Sequence, residues 1–182
     1  PGTVAELGPG DSLGTGLAAM LSGADRYYAL DVEEYSDVER NLEVLGGLEE
    51  LFSTRAPRPP TGWPDYDRYL GEDLFPGHIL SGDVLARSMD EERLSLIREA
   101  VSRPGESHGG VCVKYMVPWS DEDVIEQGSV DVVFSQSVME HVEDLEATYS
   151  ALHRWLRPGG FMSHQVDFAA HGYSRVWNGT RA

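Results

Sequence analysis

Val4-Ala5-Glu6-Leu7-Gly8-Pro9-Gly10-Asp11-Ser12-Leu13-Gly14 is followed, one helix length later, by Tyr27-Tyr28-Ala29-Leu30-Asp31-Val32. The order is a short apolar strand, a glycine-rich turn, a helix striped by Leu13, Leu17, Met20 and Leu21, and a second strand that ends in an acid. Glycines at 8 and 10 remove Cβ atoms where a ligand must approach the backbone, and they accept φ values that a side chain penalises. The helix that follows starts with free N–H groups aimed at the same space. Asp31 lies 21 residues beyond Gly10, near the spacing at which an acid on the second strand of a βαβ unit takes ribose hydroxyls. These features predict a site for an adenosine-containing cofactor.

Working outward, the turn lacks the third glycine of the dinucleotide fingerprint in its usual place, and Asp11 stands where it would repel a pyrophosphate. With Glu6 just ahead of the turn, the mouth is anionic and suits a cationic ligand. A second block, Ser129-Val130-Asp131-Val132-Val133-Phe134-Ser135-Gln136-Ser137-Val138-Met139-Glu140-His141-Val142, reads as a buried strand, a loop and a helix start. The helix runs on to Leu156, with Leu145, Tyr149, Leu152 and Leu156 on one face. Leu156-Arg157-Pro158-Gly159-Gly160 ends it in a tight reversal, and a further strand is predicted from Phe161 to Phe168.

Glu-x-Gly-x-Gly, then Val-Asp-Val-Val-Phe, Glu-His-Val and Leu-Arg-Pro-Gly-Gly-Phe in that order resemble the motifs of class I S-adenosylmethionine-dependent methyltransferases. Within that class the chain is similar to bacterial stand-alone methyltransferase-domain proteins of type 11/12. The resemblance covers roughly residues 3–168 apart from one insertion. It implies an α/β fold: a Rossmann-like, doubly wound and mostly parallel sheet, read as one domain over 1–182. It also implies S-adenosyl-L-methionine as cofactor and S-adenosyl-L-homocysteine as product.

The resemblance carries site residues over one at a time. Gly8 and Gly10 would contact the methionine part, and Glu6 would help orient its ammonium group. Asp31 would accept from both ribose hydroxyls, with Val32 packed on adenine. Ser135 and Gln136 would stand at the switch point of the sheet. The acid that reads the adenine amine in the family has no obvious counterpart in Lys114-Tyr115-Met116-Val117-Pro118-Trp119. Backbone near Val117, the later Asp121, or packing by Trp119 are the alternatives for that role. His141, His164 and Asp167 are the candidate catalytic groups, with His171 further on. Glu140-His141, placed at a helix start, suits a structural role as well. A metal site is not predicted, because 164 and 167 have opposite parity on a strand.

Composition bounds the partners. The 182 residues hold 31 Asp plus Glu against 14 Lys plus Arg, a net charge of −17, and no basic cluster. Nucleic acid as acceptor is therefore disfavoured, since phosphate binding needs a positive footprint. No apolar run is long enough to span a membrane, and no signal peptide is evident, which together with the single Cys112 predicts a cytoplasmic protein. The expected reaction is methyl transfer to an oxygen or nitrogen of a small molecule or glycan precursor. The alternatives are a non-catalytic S-adenosylmethionine-binding or assembly domain and an NAD-dependent oxidoreductase.

Between the second and third strands, residues 54–109 form an insertion rich in proline at its start, with Trp63, Tyr66, Tyr69 and Phe75 close together. It is read as a possible lid on the acceptor pocket, or as a surface excursion cemented by those aromatics. Leu94, Ile97 and Val101 mark a helix within it, and Gly46-Gly47 is expected to interrupt or shorten the helix before it. The last two strands of the class sheet are missing from the sequence, which is therefore read as a fragment. A missing C-terminal segment or a second copy would cover the edge of the fifth strand.

Overall fold

The computed structural model describes residues 2–59, 74–119 and 121–168. In chain order the elements are β1 (Gly2–Leu7), α1 (Gly14–Leu21), β2 (Ala24–Leu30), α2 (Val38–Thr54), α3 (Gly82–Ser88), α4 (Glu91–Ser102), β3 (Ser107–His108), β4 (Val111–Met116), β5 (Val130–Gln136), α5 (Leu145–Trp155) and β6 (Leu156–Gln165). Single 3-10 turns lie at Glu122–Val124 and Met139–His141. The sheet order is β3-β4-β2-β1-β5-β6. Every pairing is parallel except that of β3 with β4. This is the doubly wound α/β arrangement expected from the sequence.

Alternation along the strands sorts the core into two layers, because successive side chains leave opposite faces of the sheet. Val4, Tyr27, Ala29, Val111 and Val113 turn to the face covered by α1, α2 and α4, where Leu17, Leu45 and Ile97 meet them. Ala5, Leu7, Tyr28, Leu30 and Val133 turn to the other face, onto Leu152 and Trp155 of α5. Aspartates start three of the helices: Asp37, Asp90 and Asp144 each accept a backbone N–H from the first turn of α2, α4 and α5.

Several elements depart from the sequence expectations. The helix α2 runs unbroken through Gly46-Gly47 to Thr54, because Leu42, Leu45, Leu48 and Phe52 keep packing on the core on both sides of the pair. The last strand starts at Leu156, directly after α5, and ends at Gln165 instead of spanning 161–168. Pro158-Gly159-Gly160 is thus taken into β6 as an irregularity in its register against β5. Gly160 sits so close to β5 that a Cβ there would lie 3.0 Å from the carbonyl oxygens of Val130 and Asp131. The small hairpin partner β3 was not foreseen; it turns into β4 through Gly109 and Gly110, both at positive φ. Glu140-His141 belongs to a 3-10 turn and not to the start of a helix, which comes later at Leu145.

Of the insertion aromatics, Trp63, Tyr66 and Tyr69 lie outside the described residues. The two flanks of that stretch are joined by the Arg58 N–H, which donates to the Leu74 carbonyl at 2.8 Å. Beyond it, Ala86 and Arg87 of α3 line a cleft together with Gly2 and Thr3, at the amino ends of the strands. Among the described residues, β6 pairs only with β5, and Phe161 on it is 60% exposed.

Candidate cofactor site

The chain reverses direction in the sheet beside β1: β2 and β4 follow on one side, β5 and β6 on the other. Loops leaving the carboxyl ends of β1 and β5 must part there, and a crevice opens between them. A cavity of about 710 Å³ occupies that place, within the range that small-molecule sites span. Gly8 and Asp31 form its floor, Val32 and Trp119 one side, and Val138 and His141 the other.

Local sequence builds that floor. Gly8 has φ +62, and its N–H donates to the Leu30 carbonyl at 2.8 Å, which ties the turn to the end of β2. A Cβ on Gly8 would lie 2.5 Å from a methyl of Val138, so the glycine is what lets the loop after β5 close over the turn. Gly10, at φ +72, donates its N–H to Asp31 Oδ2 at 3.2 Å. The Val32 N–H donates to Asp31 Oδ1 at 2.8 Å. Asp31 is buried and held by backbone amides alone among the interactions of the described residues, so its charge is oriented but not neutralised. Asp11, in contrast, points outward to an exposed ion pair with Arg40 at 2.7 Å.

Glu6 is placed differently from its neighbours in the motif. It is 5% exposed, does not line the cavity, and accepts a short hydrogen bond from the hydroxyl of Tyr27 beneath α1. Burial pushes its carboxyl up to about 7; the Tyr27 and Gly16 hydrogen bonds oppose that rise, and the Asp31 charge adds to it. The same burial and the Glu6 charge hold the Tyr27 hydroxyl well above the usual phenol range. The first N–H ahead of α1 is also spoken for: Leu13 donates to Asn41 Oδ1 at 2.9 Å within the core.

On the strands past the switch point, Ser135 and His164 are register partners, and Ser135 Oγ lies 2.8 Å from His164 Nδ1. His164 Nε2 is buried without a partner, Tyr149 packs edge-on to the ring at 5.7 Å, and burial lowers the imidazole pKa. Gln136 ends β5 in an exposed position. Asp167 lies beyond the end of β6, and its N–H donates to Glu140 Oε1 at 3.2 Å. The site residues expected from sequence thus fall into two groups. Gly8, Asp31, Val32, Trp119 and His141 share the cavity, with Gly10 bonded to Asp31 from the adjoining turn, whereas Glu6, Val117, Ser135, Gln136, His164 and Asp167 do not line it. His171 lies outside the described residues. Among the described residues no three His, Cys, Asp or Glu side chains converge as a metal site.

The acid on the cavity wall after β4 is Glu122. Asp121, one residue earlier, spends its carboxylate on the Asp123 N–H at 2.8 Å. Sequence reading missed Glu122 because three consecutive acids, 121–123, give no periodicity to choose between them. It missed Val138 and the α5 wall at Ala147, Thr148 and Ala151 because small and aliphatic residues there carry no chemical signature.

Residues 75–163 match the model of a family described as a methyltransferase domain. That stretch takes in β4, β5 and α5. A solved structure from Methanococcus maripaludis, of a protein proposed to be an S-adenosyl-L-methionine-dependent methyltransferase, is similar over 90% of this chain and 48% of its own, with 13% identity and a TM-score of 0.35. The chain thus spans about half the length of that protein. No curated protein matches the sequence.

Proposed function

We propose that this chain, a class I S-adenosylmethionine-dependent methyltransferase domain with S-adenosylmethionine as its cofactor, transfers the methyl group to an oxygen or nitrogen of a small molecule. The observation that carries the reading is the glycine turn at 8–10 bonded to a buried, un-neutralised Asp31 at the floor of the switch-point cavity. An acceptor pair of oxygens on Asp31 suits two vicinal hydroxyls, and a carboxylate without a cationic partner suits a cofactor that brings positive charge. Glu122, Glu143 and Asp144 add to the negative potential of the walls. Val32 and Trp119 supply the apolar surface that an adenine ring needs.

When bound, S-adenosylmethionine supplies an electrophilic methyl on a positively charged sulfur. The protein's part is then mainly to fix the two reactants in line and to keep water out. A base is needed only for an acceptor that must lose a proton. His141 borders the cavity and is the side chain best placed for that task. His164, oriented by Ser135 Oγ, is the second candidate.

The test is binding followed by turnover. Calorimetry should show S-adenosylhomocysteine binding and none by NAD; the reverse result overturns the reading. Methyl transfer from labelled S-adenosylmethionine to one or more members of an amine and alcohol metabolite panel is then expected. Tight cofactor binding with no transfer to any acceptor would instead support the non-catalytic binding domain.

A further inference from the structure

The segment between β4 and β5 carries two of the cavity's side chains, Trp119 and Glu122, and among its described residues it has no regular structure beyond one 3-10 turn. Such a loop fixes a ligand only if something else fixes the loop. Three attachments do so. At its start, the Trp119 N–H donates to the Asp31 carbonyl at 3.1 Å. At its end, the Gly128 N–H donates to the Arg154 carbonyl at 2.9 Å. In its middle, the last two residues of α5 hold it by side chains. The indole N–H of Trp155 donates to the Glu122 carbonyl at 2.6 Å, and the guanidinium of Arg154 bridges the Glu122 carboxylate, at 2.8 Å, and that of Asp123. The Trp155 ring, fully buried, also meets the Trp119 ring edge-on, with centroids 5.6 Å apart and planes at 66°.

We propose that Arg154 and Trp155 are positioning residues for recognition of the cofactor's base. They hold the Trp119 ring and the Glu122 carboxylate as one rigid wall, the ring to pack on a purine face and the carboxylate to accept from an exocyclic amine. Arg154 engages Glu122 through Oε1, which leaves Oε2 to take the amine. Trp155 sets the plane of Trp119 by its edge and the height of the 122 backbone by its N–H. Neither residue needs to touch the ligand. Because the two lie on α5, which packs by Leu152 and Trp155 on the sheet, the wall inherits the rigidity of the core. The proposal rests on the reading of the cavity as the cofactor site.

The experiment compares S-adenosylhomocysteine with S-inosylhomocysteine, which has a carbonyl where adenine has its amine, on the wild-type chain, Arg154→Gln and Trp155→Phe. Arg154 is partly exposed, so Arg154→Gln should fold, and Trp155→Phe keeps an aromatic ring while removing the N–H donor. The wild-type chain should prefer the adenine ligand by about tenfold or more, the effect of one hydrogen bond to a charged acceptor. Both variants should lose most of that preference, while their affinity for the inosine ligand changes by less than about twofold. A purely structural role would weaken both ligands together and leave their ratio intact, and that result overturns the proposal. A wild-type chain that binds both equally overturns it too, since no base would then be read. If the wild-type chain binds neither ligand, the cofactor reading itself fails, and the outcome is distinguishable from the others.

Discussion

The two ends of the sheet carry openings of similar size and opposite chemistry. At the amino ends of the strands lies the larger one, a cleft of about 940 Å³ bordered by Arg26, Arg87, Arg93 and Arg157 as well as Asp25 and Asp131. Its charges largely answer one another. Arg93 pairs with Asp25 at 2.6 Å and also donates to the Met20 and Ala24 carbonyls, and Arg157 pairs with Asp131, which in turn accepts the Thr3 N–H at 2.7 Å. At the carboxyl ends the cavity is smaller, but among the described residues Asp31 there is met by amides alone, and Gly8 leaves bare backbone facing the space. Volume alone therefore does not single out the candidate site; unspent hydrogen-bonding capacity is what favours the carboxyl end. The asymmetry follows from chain direction, because helices that start at the carboxyl edge offer N–H groups while the loops that reach the base bring helix ends and strand starts that must be stapled.

The comparison can be broken most sharply at Arg93. Its side chain is mostly buried, so Arg93→Met removes the ion pair with Asp25 and the guanidinium donor to the Ala24 carbonyl and should cost about 3–5 kcal/mol in urea unfolding. In the fraction that stays folded, S-adenosylhomocysteine affinity should hold within about twofold; a large loss would mean that the base takes part in binding.

Glu6 comes next. Its carboxyl titrates near 7 in the folded chain, against an ordinary value of 4.5. Below the lower value folded and unfolded chains both carry the proton, and burial of the neutral acid is fully favourable. Between 4.5 and about 7 the unfolded chain has ionised while the folded chain keeps its proton, so stability falls across that window and levels off once the folded carboxyl ionises as well. Glu6→Gln mimics the protonated acid and should be spared that fall, gaining on the wild type by up to about 3 kcal/mol between pH 4.5 and 8. Parallel stability curves for the two proteins would show that Glu6 has the same proton affinity in both states.

The smallest effect sharpens the other side of the comparison. Asp31→Ala removes the one charged acceptor on the cavity floor and should weaken S-adenosylhomocysteine binding by about 1.5–3 kcal/mol, measured by calorimetry. An unchanged dissociation constant in the folded variant would move the ribose away from β2.

Much of the candidate site was legible in the sequence because it is local. A glycine turn flanked by buried strands, and an acid at a fixed distance along one βαβ unit, are all within about thirty residues, and the parallel strands announce themselves as apolar runs. What escaped depends on contacts between distant segments. Gly46-Gly47 reads as a helix break on propensity, at about 1 kcal/mol per glycine, yet the apolar stripe on either side outweighs it. Pro158-Gly159-Gly160 reads as a reversal, yet the lack of a Cβ at 160 serves the approach of β6 to the backbone of β5. The roles of Glu122, Arg154 and Trp155 arise only once the loop after β4 lands on the end of α5, 31 to 33 residues further along.

One contact beneath α1 joins two positions that the sequence treats as unrelated. A methyl group on Gly16 would lie 1.9 Å from the ring of Tyr27, so the helix rests on the phenol at a point where it has no side chain. Residues 16 and 27 thus divide a single parcel of space between them. Enlarging the first without shrinking the second forces α1 off the sheet, and shrinking the second alone leaves a void and takes from Glu6 the hydroxyl it leans on. Any lineage that changes one of this pair must change the other, and the glycine-rich loop just upstream moves with the outcome.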